Sequence, residues 1–199
     1  MKESENIIEI SRLPIDMLGF IFYPLSPRYI ENLSSDPLSF IPPAIGKVGV
    51  FVNQKEEDIL FGVNKYQLQM VQLHGEESPL LCEKLKNRGL KVIKVFNVLV
   101  EEDLERISEY ESICDYFLFD TKTDKFGGSG KKFDWTVLQY YTGKTPFILS
   151  GGIGPGDING LLSFKHDFFW GIDLNSRFEI DCGIKDPVLL QQFIKEFNR

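Results

Sequence analysis

SENIIEISRLPIDMLGFIF (residues 4–22) is the stretch whose reading decides the fold. It reads as a helix over residues 4–12 with Ser4 as N-cap, a turn at Leu13–Pro14, and a strand over MLGFIF, residues 17–22. Everything after it repeats a strand-then-helix rhythm. Further strands are expected over residues 47–52, 70–75, 91–98, 116–121, 147–152 and 171–176. Amphipathic segments near 55–66, 78–88, 101–109, 134–141, 155–164 and 187–197 read as the helices between them. Pro37, Pro42 and Pro43 leave room for only a short helix between Ile30 and Pro43.

Apolar strands alternating with amphipathic helices imply one parallel sheet covered by helices. No linker, low-complexity tract or charge block divides the chain, so residues 1–199 are expected to form a single domain. Two architectures satisfy the pattern, a doubly wound open sheet and a (β/α)8 barrel. Seven strands are counted, and the chain both opens and closes on a helix. One strand before Lys2 would complete eight β/α units, so the expectation is an α/β fold, a TIM (β/α)8 barrel with its first strand missing. No GxGxxG follows the first strand, which weighs against a dinucleotide-binding open sheet.

Composition narrows the partners. The net charge of −7 is wrong for nucleic acid or an anionic membrane, both of which need a basic face. An anionic small molecule remains open if an arginine or backbone N–H groups meet it locally. No apolar run approaches the roughly 20 residues of a spanning helix. Lys2, Glu3, Ser4, Glu5 and Asn6 follow Met1 directly, so no signal peptide is expected. Cys82, Cys114 and Cys182 are odd in number and widely spaced, which suggests neither a disulfide framework nor a zinc site. A cytoplasmic setting fits these features.

In a parallel barrel, chemistry gathers where strands end and loops begin. Arg28 lies in such a loop, stiffened by Pro24 and Pro27, and an arginine there can hold a carboxylate in a bidentate fork. Gln72 and His74, two apart on a strand, point to one face. Asp120 ends an apolar strand, where partial desolvation suits a general acid. Gly127, Gly128 and Gly130 form a loop able to close over the same end, while Asp134 reads as the N-cap of the next helix. Gly151 and Gly152 let backbone approach an anion without a Cβ in the way. With the loop DLNSRFE (173–179), they make the phosphate site usual after the last two strands of such barrels.

These motifs resemble those of phosphoribosylanthranilate isomerase. GFIFYPLSPRY, VGVFVN, VQLHGEE, FDTKTDKFGGSGKKFDW, LSGGI, GIDLNSRFE and GIKD occur in that family's order over nearly the whole chain. The resemblance implies an enzyme of tryptophan biosynthesis that works without a cofactor. It would convert N-(5′-phosphoribosyl)anthranilate to the 1-deoxyribulose-phosphate aminoketose by an Amadori rearrangement. Asp120 would be the acid that protonates the furanose ring oxygen. Arg28 would take the anthranilate carboxylate. Gly152, Ser176 and Arg177 would hold the phosphate, and His74 and Asp173 would line the pocket. Oligomeric state stays open between monomer and homodimer.

Two departures stand out. The family often has glycine where this chain has Arg177, so a backbone contact there depends on the φ that Arg177 adopts. The family also opens with a strand ending in Lys-[Ile/Val]-Cys-Gly, whose cysteine removes the C2′ proton. No such motif precedes the opening helix, and the general-base cysteine is expected to be absent from this chain. Cys82 sits mid-helix, Cys114 precedes a strand at the opposite end, and Cys182 lies far along the last loop. An alternative is therefore a barrel that binds a phosphorylated ligand with impaired turnover. A different phosphate-handling barrel enzyme is a further alternative, opposed by the missing metal-ligand set and by FDTKTDKFGGSGKKFDW.

Overall fold

A computed structural model describes residues 1–30, 34, 36–121 and 134–198. Seven parallel strands run in sequence order through one curled sheet: β1 (Met17–Ile21), β2 (Gly46–Phe51), β3 (Met70–Leu73), β4 (Lys91–Val98), β5 (Tyr116–Thr121), β6 (Phe147–Leu149) and β7 (Phe169–Ile172). Among the described residues, the ladder stops at β1 on one side and at β7 on the other. Helices α1 (Ser4–Ile10), α2 (Asp36–Ser39), α3 (Glu56–Tyr66), α4 (Pro79–Asn87), α5 (Ile158–Ser163) and α6 (Pro187–Phe197) accompany the sheet. A short antiparallel hairpin, β8 (Glu179–Asp181) and β9 (Ile184–Lys185), follows β7.

Period-two alternation sorts the side chains between the two faces of the sheet. Val48, Met70, Ile93, Val95, Leu118 and Ile148 form one apolar cluster on the concave side. Their neighbours Phe51, Val71, Leu73, Val92, Phe96, Phe117, Phe119 and Phe147 pack into the larger core with the helices. The central strands are thus buried on both faces, as a covered parallel sheet requires. The outermost strands are less covered: Gly19 on β1 is exposed, and Trp170 on β7 is 42% exposed.

Several elements differ from the sequence expectation. Helix α1 begins at Ser4 itself, with Glu3 in the cap position and no side-chain cap. Residues Glu101–Tyr110 and Trp135–Tyr140 form 3₁₀ rather than α-helices. Their buried or half-buried apolar positions explain this: Leu104, Ile107 and Tyr110, then Trp135, Leu138 and Tyr141, recur every third residue, the period of a 3₁₀ helix. Asp134 does cap its helix, accepting from the Thr136 N–H at 3.0 Å. Segment 155–164 splits into a 3₁₀ turn, Pro155–Asp157, and α5. The last strand lies earlier than the expected 171–176. The Phe147 N–H donates to the Phe168 carbonyl at 2.8 Å and the Asp173 N–H to the Leu149 carbonyl at 2.7 Å, so the chain leaves the sheet at Asp173. The β8–β9 hairpin turns on Gly183, whose φ of +83° favours glycine.

Helix α1 is tied to that hairpin. The Asn6 amide donates to the Lys185 carbonyl and accepts from the Lys185 N–H, both at 2.8 Å. The Met1 amine donates to the Gly19 carbonyl of β1 at 3.2 Å. No helix among the described residues is long and apolar enough to cross a membrane.

A buried ion pair fixes the loop after β3. Lys94, on the helix side of β4, donates to Glu77 Oε2 at 3.2 Å and to the carbonyls of Leu73 and Gly75 at 3.1 and 2.7 Å. Glu77 accepts in turn from the N–H groups of Asn53 and Gly75. These bonds bracket His74. Removing one partner strands a buried charge, so Glu77→Ala should cost about 3–5 kcal/mol in urea unfolding, and Lys94→Met with Glu77→Leu should recover most of it. An unchanged midpoint in Glu77→Ala would show that the pair contributes nothing.

Candidate active site

The concave face is apolar at its floor and polar at its rim. Counting outward by two along each strand leads from Ile93 and Val95 to Asn97, from Leu118 to Asp120, from Met70 to Gln72 and His74, and from Ile148 to Ser150. All of these rim residues line one cavity of about 560 Å³, with Arg28, Gly151, Gly152, Asp173 and Ser176. The cavity also extends between β1 and β7, past Met17–Gly19 and Trp170–Ile172, to Ile10 of α1 and Phe193 of α6.

Gln72, His74 and Asp120 form a chain. Gln72 Nε2 lies 3.4 Å from His74 Nδ1, and His74 Nε2 lies 3.5 Å from Asp120 Oδ2. If Nδ1 accepts from the Gln72 amide, Nε2 carries the ring proton and faces the carboxylate. Asp120 is 23% exposed at its side chain, so it is partly withdrawn from water yet reachable. Asn97 is its ladder partner on β4. Asp173 accepts from Ser150 Oγ at 3.1 Å. Burial, and then the charge of Asp120, push the Asp173 carboxyl above its ordinary range, against the pull of Lys185 and Ser150.

The loops after β6 and β7 supply backbone. Gly151 and Gly152 have φ of +88° and +67°, the left-handed conformations that glycine adopts without strain. Ser176 opens the 3₁₀ turn Ser176–Phe178 and lines the cavity. Arg177 is exposed and absent from the lining, and its backbone is not in the positive-φ region. Arginine in place of glycine therefore imposes no backbone strain here. The Arg177 stem packs beside Gly154 instead.

Arg28 differs from the free fork expected of it. Its Nε donates to Glu179 Oε1 and Oε2 at 2.9 and 3.0 Å, and its Nη2 to Oε2 at 2.6 Å. Lys185 Nζ reaches the same carboxylate at 3.4 Å, and also Asn175 Oδ1 at 2.8 Å. Burial alone would raise the Glu179 carboxyl, but the Arg28 bonds and the Lys185 charge outweigh it and hold it below its usual range. Burial lowers Lys185, opposed by Glu179 and Asp173.

None of the three cysteines lines the cavity. Cys82 and Cys114 are buried against each other away from it, and Cys182 sits in the β8–β9 turn. Gly128 and the rest of the glycine loop lie outside the described residues. Asn97, Ser150, Glu179 and Lys185 were not singled out from sequence. The first two carry a legible signal, a polar residue in phase with inward apolar ones.

The family model for N-(5′-phosphoribosyl)anthranilate (PRA) isomerase matches residues 1–196. The chain belongs to this isomerase family. It is 47% identical to a curated N-(5′-phosphoribosyl)anthranilate isomerase of Phocaeicola vulgatus, over all of this chain and 95% of that one. It resembles the crystal structure of phosphoribosyl anthranilate isomerase from Thermotoga maritima with a TM-score of 0.88 and 36% identity, over 100% of this chain and 95% of that chain. A family structure in complex with reduced 1-(o-carboxyphenylamino)-1-deoxyribulose 5-phosphate matches with a TM-score of 0.81 and 33% identity, over the same shares. The curled parallel sheet is the isomerase family's TIM-like α/β fold.

In this isomerase-family site the Glu179 pairing carries a pH signature. A depressed carboxyl stabilises the folded state above its unfolded value, about 4.3 for glutamate, and loses that contribution as pH falls through the folded value. Wild type should therefore exceed Glu179→Gln in stability at neutral pH, and the gap should narrow below about pH 4.3 in urea melts. A gap independent of pH would separate Glu179 from the acid limb.

Proposed function

We propose that this chain catalyses the Amadori rearrangement of N-(5′-phosphoribosyl)anthranilate to 1-(2-carboxyphenylamino)-1-deoxyribulose 5-phosphate in tryptophan biosynthesis, a cytoplasmic process. The observation that carries the reading is the convergence, in one cavity, of an acid beside a histidine, an arginine near the rim and two backbone loops suited to phosphate. Asp120 protonates the furanose ring oxygen, and the ring opens to a Schiff base. His74, between Gln72 and Asp120, keeps the carboxyl oriented toward the cavity. Arg28 meets the anthranilate carboxylate. Gly151, Gly152 and Ser176 receive the phosphate through backbone N–H groups.

The proton at C2′ needs a base, and none of this chain's cysteines reaches the cavity. We assign that role to a cysteine at the end of a further strand seated between β1 and β7, which completes the eight-stranded barrel. Two features support this. Among the described residues the ladder stops at those two strands, and the cavity extends between them.

Loss of substrate fluorescence tests both assignments. The 199-residue chain is compared with the same chain preceded by a strand ending in Lys-Ile-Cys-Gly. The extended chain should turn over, and its Asp120→Asn variant should lose about 10²–10⁴-fold in kcat while still binding product. Equal turnover with and without the strand would overturn the base assignment, and full activity in Asp120→Asn would overturn the acid.

A further inference from the structure

We infer that Glu179 is a positioning residue that holds Arg28 from behind and turns its outer fork toward the carboxylate of the substrate; the inference rests on the function proposed above. A guanidinium carries five N–H donors on a rigid plane. Glu179 takes the edge made by Nε and Nη2. The opposite edge, made by Nη1 and the second Nη2 proton, is the one left to grip a carboxylate end-on. Arg28 lines the cavity and Glu179 does not, so the carboxylate that is part of the protein stands on the far side of the guanidinium.

Glu179 is itself over-determined. Its Oε1 accepts from Arg28 Nε at 2.9 Å, the Gly183 N–H at 3.2 Å and Lys185 Nζ at 3.4 Å, and its side chain is 5% exposed. Glu179 and Lys185 are register partners across the β8–β9 hairpin, so their side chains meet as a cross-strand pair. Lys185 then reaches the Leu174 carbonyl and Asn175 Oδ1, at 3.2 and 2.8 Å, just before Ser176. One buried carboxylate thus sets the arginine at one end of the substrate and, through Lys185, is tied to the loop at the other.

Two effects oppose each other when Glu179 is changed. Its negative charge repels a substrate carboxylate, so charge alone predicts tighter binding without it. Its hydrogen bonds hold a long flexible side chain, and without them Arg28 and Lys185 face each other as like charges, so Arg28 turns away. Positioning predicts weaker binding, confined to ligands that carry the carboxylate.

Calorimetry with two probes separates the cases: reduced 1-(o-carboxyphenylamino)-1-deoxyribulose 5-phosphate and its counterpart lacking the ring carboxyl. Wild type should prefer the carboxylated probe. Glu179→Ala should bind it at least tenfold more weakly and bind the other within twofold. Glu179→Gln, which keeps shape and one acceptor oxygen, should fall between. Tighter binding of the carboxylated probe by either variant would overturn the inference, as would equal losses for both probes, the mark of a structural role alone. Wild type binding both probes equally would remove Arg28 from carboxylate recognition and the inference with it. Wild type binding neither would overturn the proposed function itself, a result distinct from the others.

Discussion

The Arg28–Glu179 pair spans the place where the sheet's ladder ends. Arg28 follows β1 and Glu179 opens the hairpin after β7, so their bonds join the two outermost strands through their loops rather than through backbone pairing. Around it the Met1 amine reaches β1, Lys2 reaches the hairpin turn, and Asn6 clamps β9. A parallel sheet has no hydrogen-bond partners beyond its outermost strands, and exposed strand edges invite association. Side chains and the opening helix hold those strands near each other, and that arrangement lets residues from β1 and β7 share a cavity.

The sequence shows what is local and periodic. Alternation along KVGVFV and YFLFDT sorts apolar residues between a convex core and a concave floor, and the same phase carries Asp120, Gln72 and His74 to the rim. It would have carried Asn97 and Ser150 there as well. The three-residue recurrence in LERISEY and WTVLQYY was also visible, yet an amphipathic stretch invites an α-helical reading unless the spacing is counted. Long-range pairing is what periodicity does not encode. Arg28 and Glu179 are 151 residues apart, and nothing near Arg28 announces that an internal carboxylate occupies one of its edges. Lys185 is equally opaque, since a lysine in GIKD looks like a solvated cation until the hairpin folds and buries it.

Polarity along each strand divides stability from chemistry. The core strands spend their outward residues on aromatic packing, with Phe96, Phe117, Phe119 and Phe147 meeting largely edge-on or tilted. Below the rim the inward residues Ile93, Val95, Leu118 and Ile148 are aliphatic, and the last inward position is polar in β4, β5 and the segment after β6. Chemistry is therefore added at the ends of strands without disturbing the packed layer beneath. The buried ion pair Lys94–Glu77, on the helix side of the sheet, serves the same rim, because its hydrogen bonds fix the residues on either side of His74.

Charge explains how an acidic protein can accommodate an anion. The net charge of −7 opposes a phosphate and a carboxylate at long range, but screening confines that effect beyond roughly 8–10 Å. At the cavity wall and just behind it the balance is set by neighbours. Arg28 and Lys185 meet Glu179 and Asp173, so two cations and two carboxyl groups nearly cancel. Mutual attraction within that cluster offsets the desolvation that each buried charge still pays, and geometry then decides where positive potential is felt. An arginine bound on one edge is positive on the other. A single carboxylate can thus both join the loop after β1 to the hairpin and leave Arg28, which lines the cavity, directional instead of cancelled.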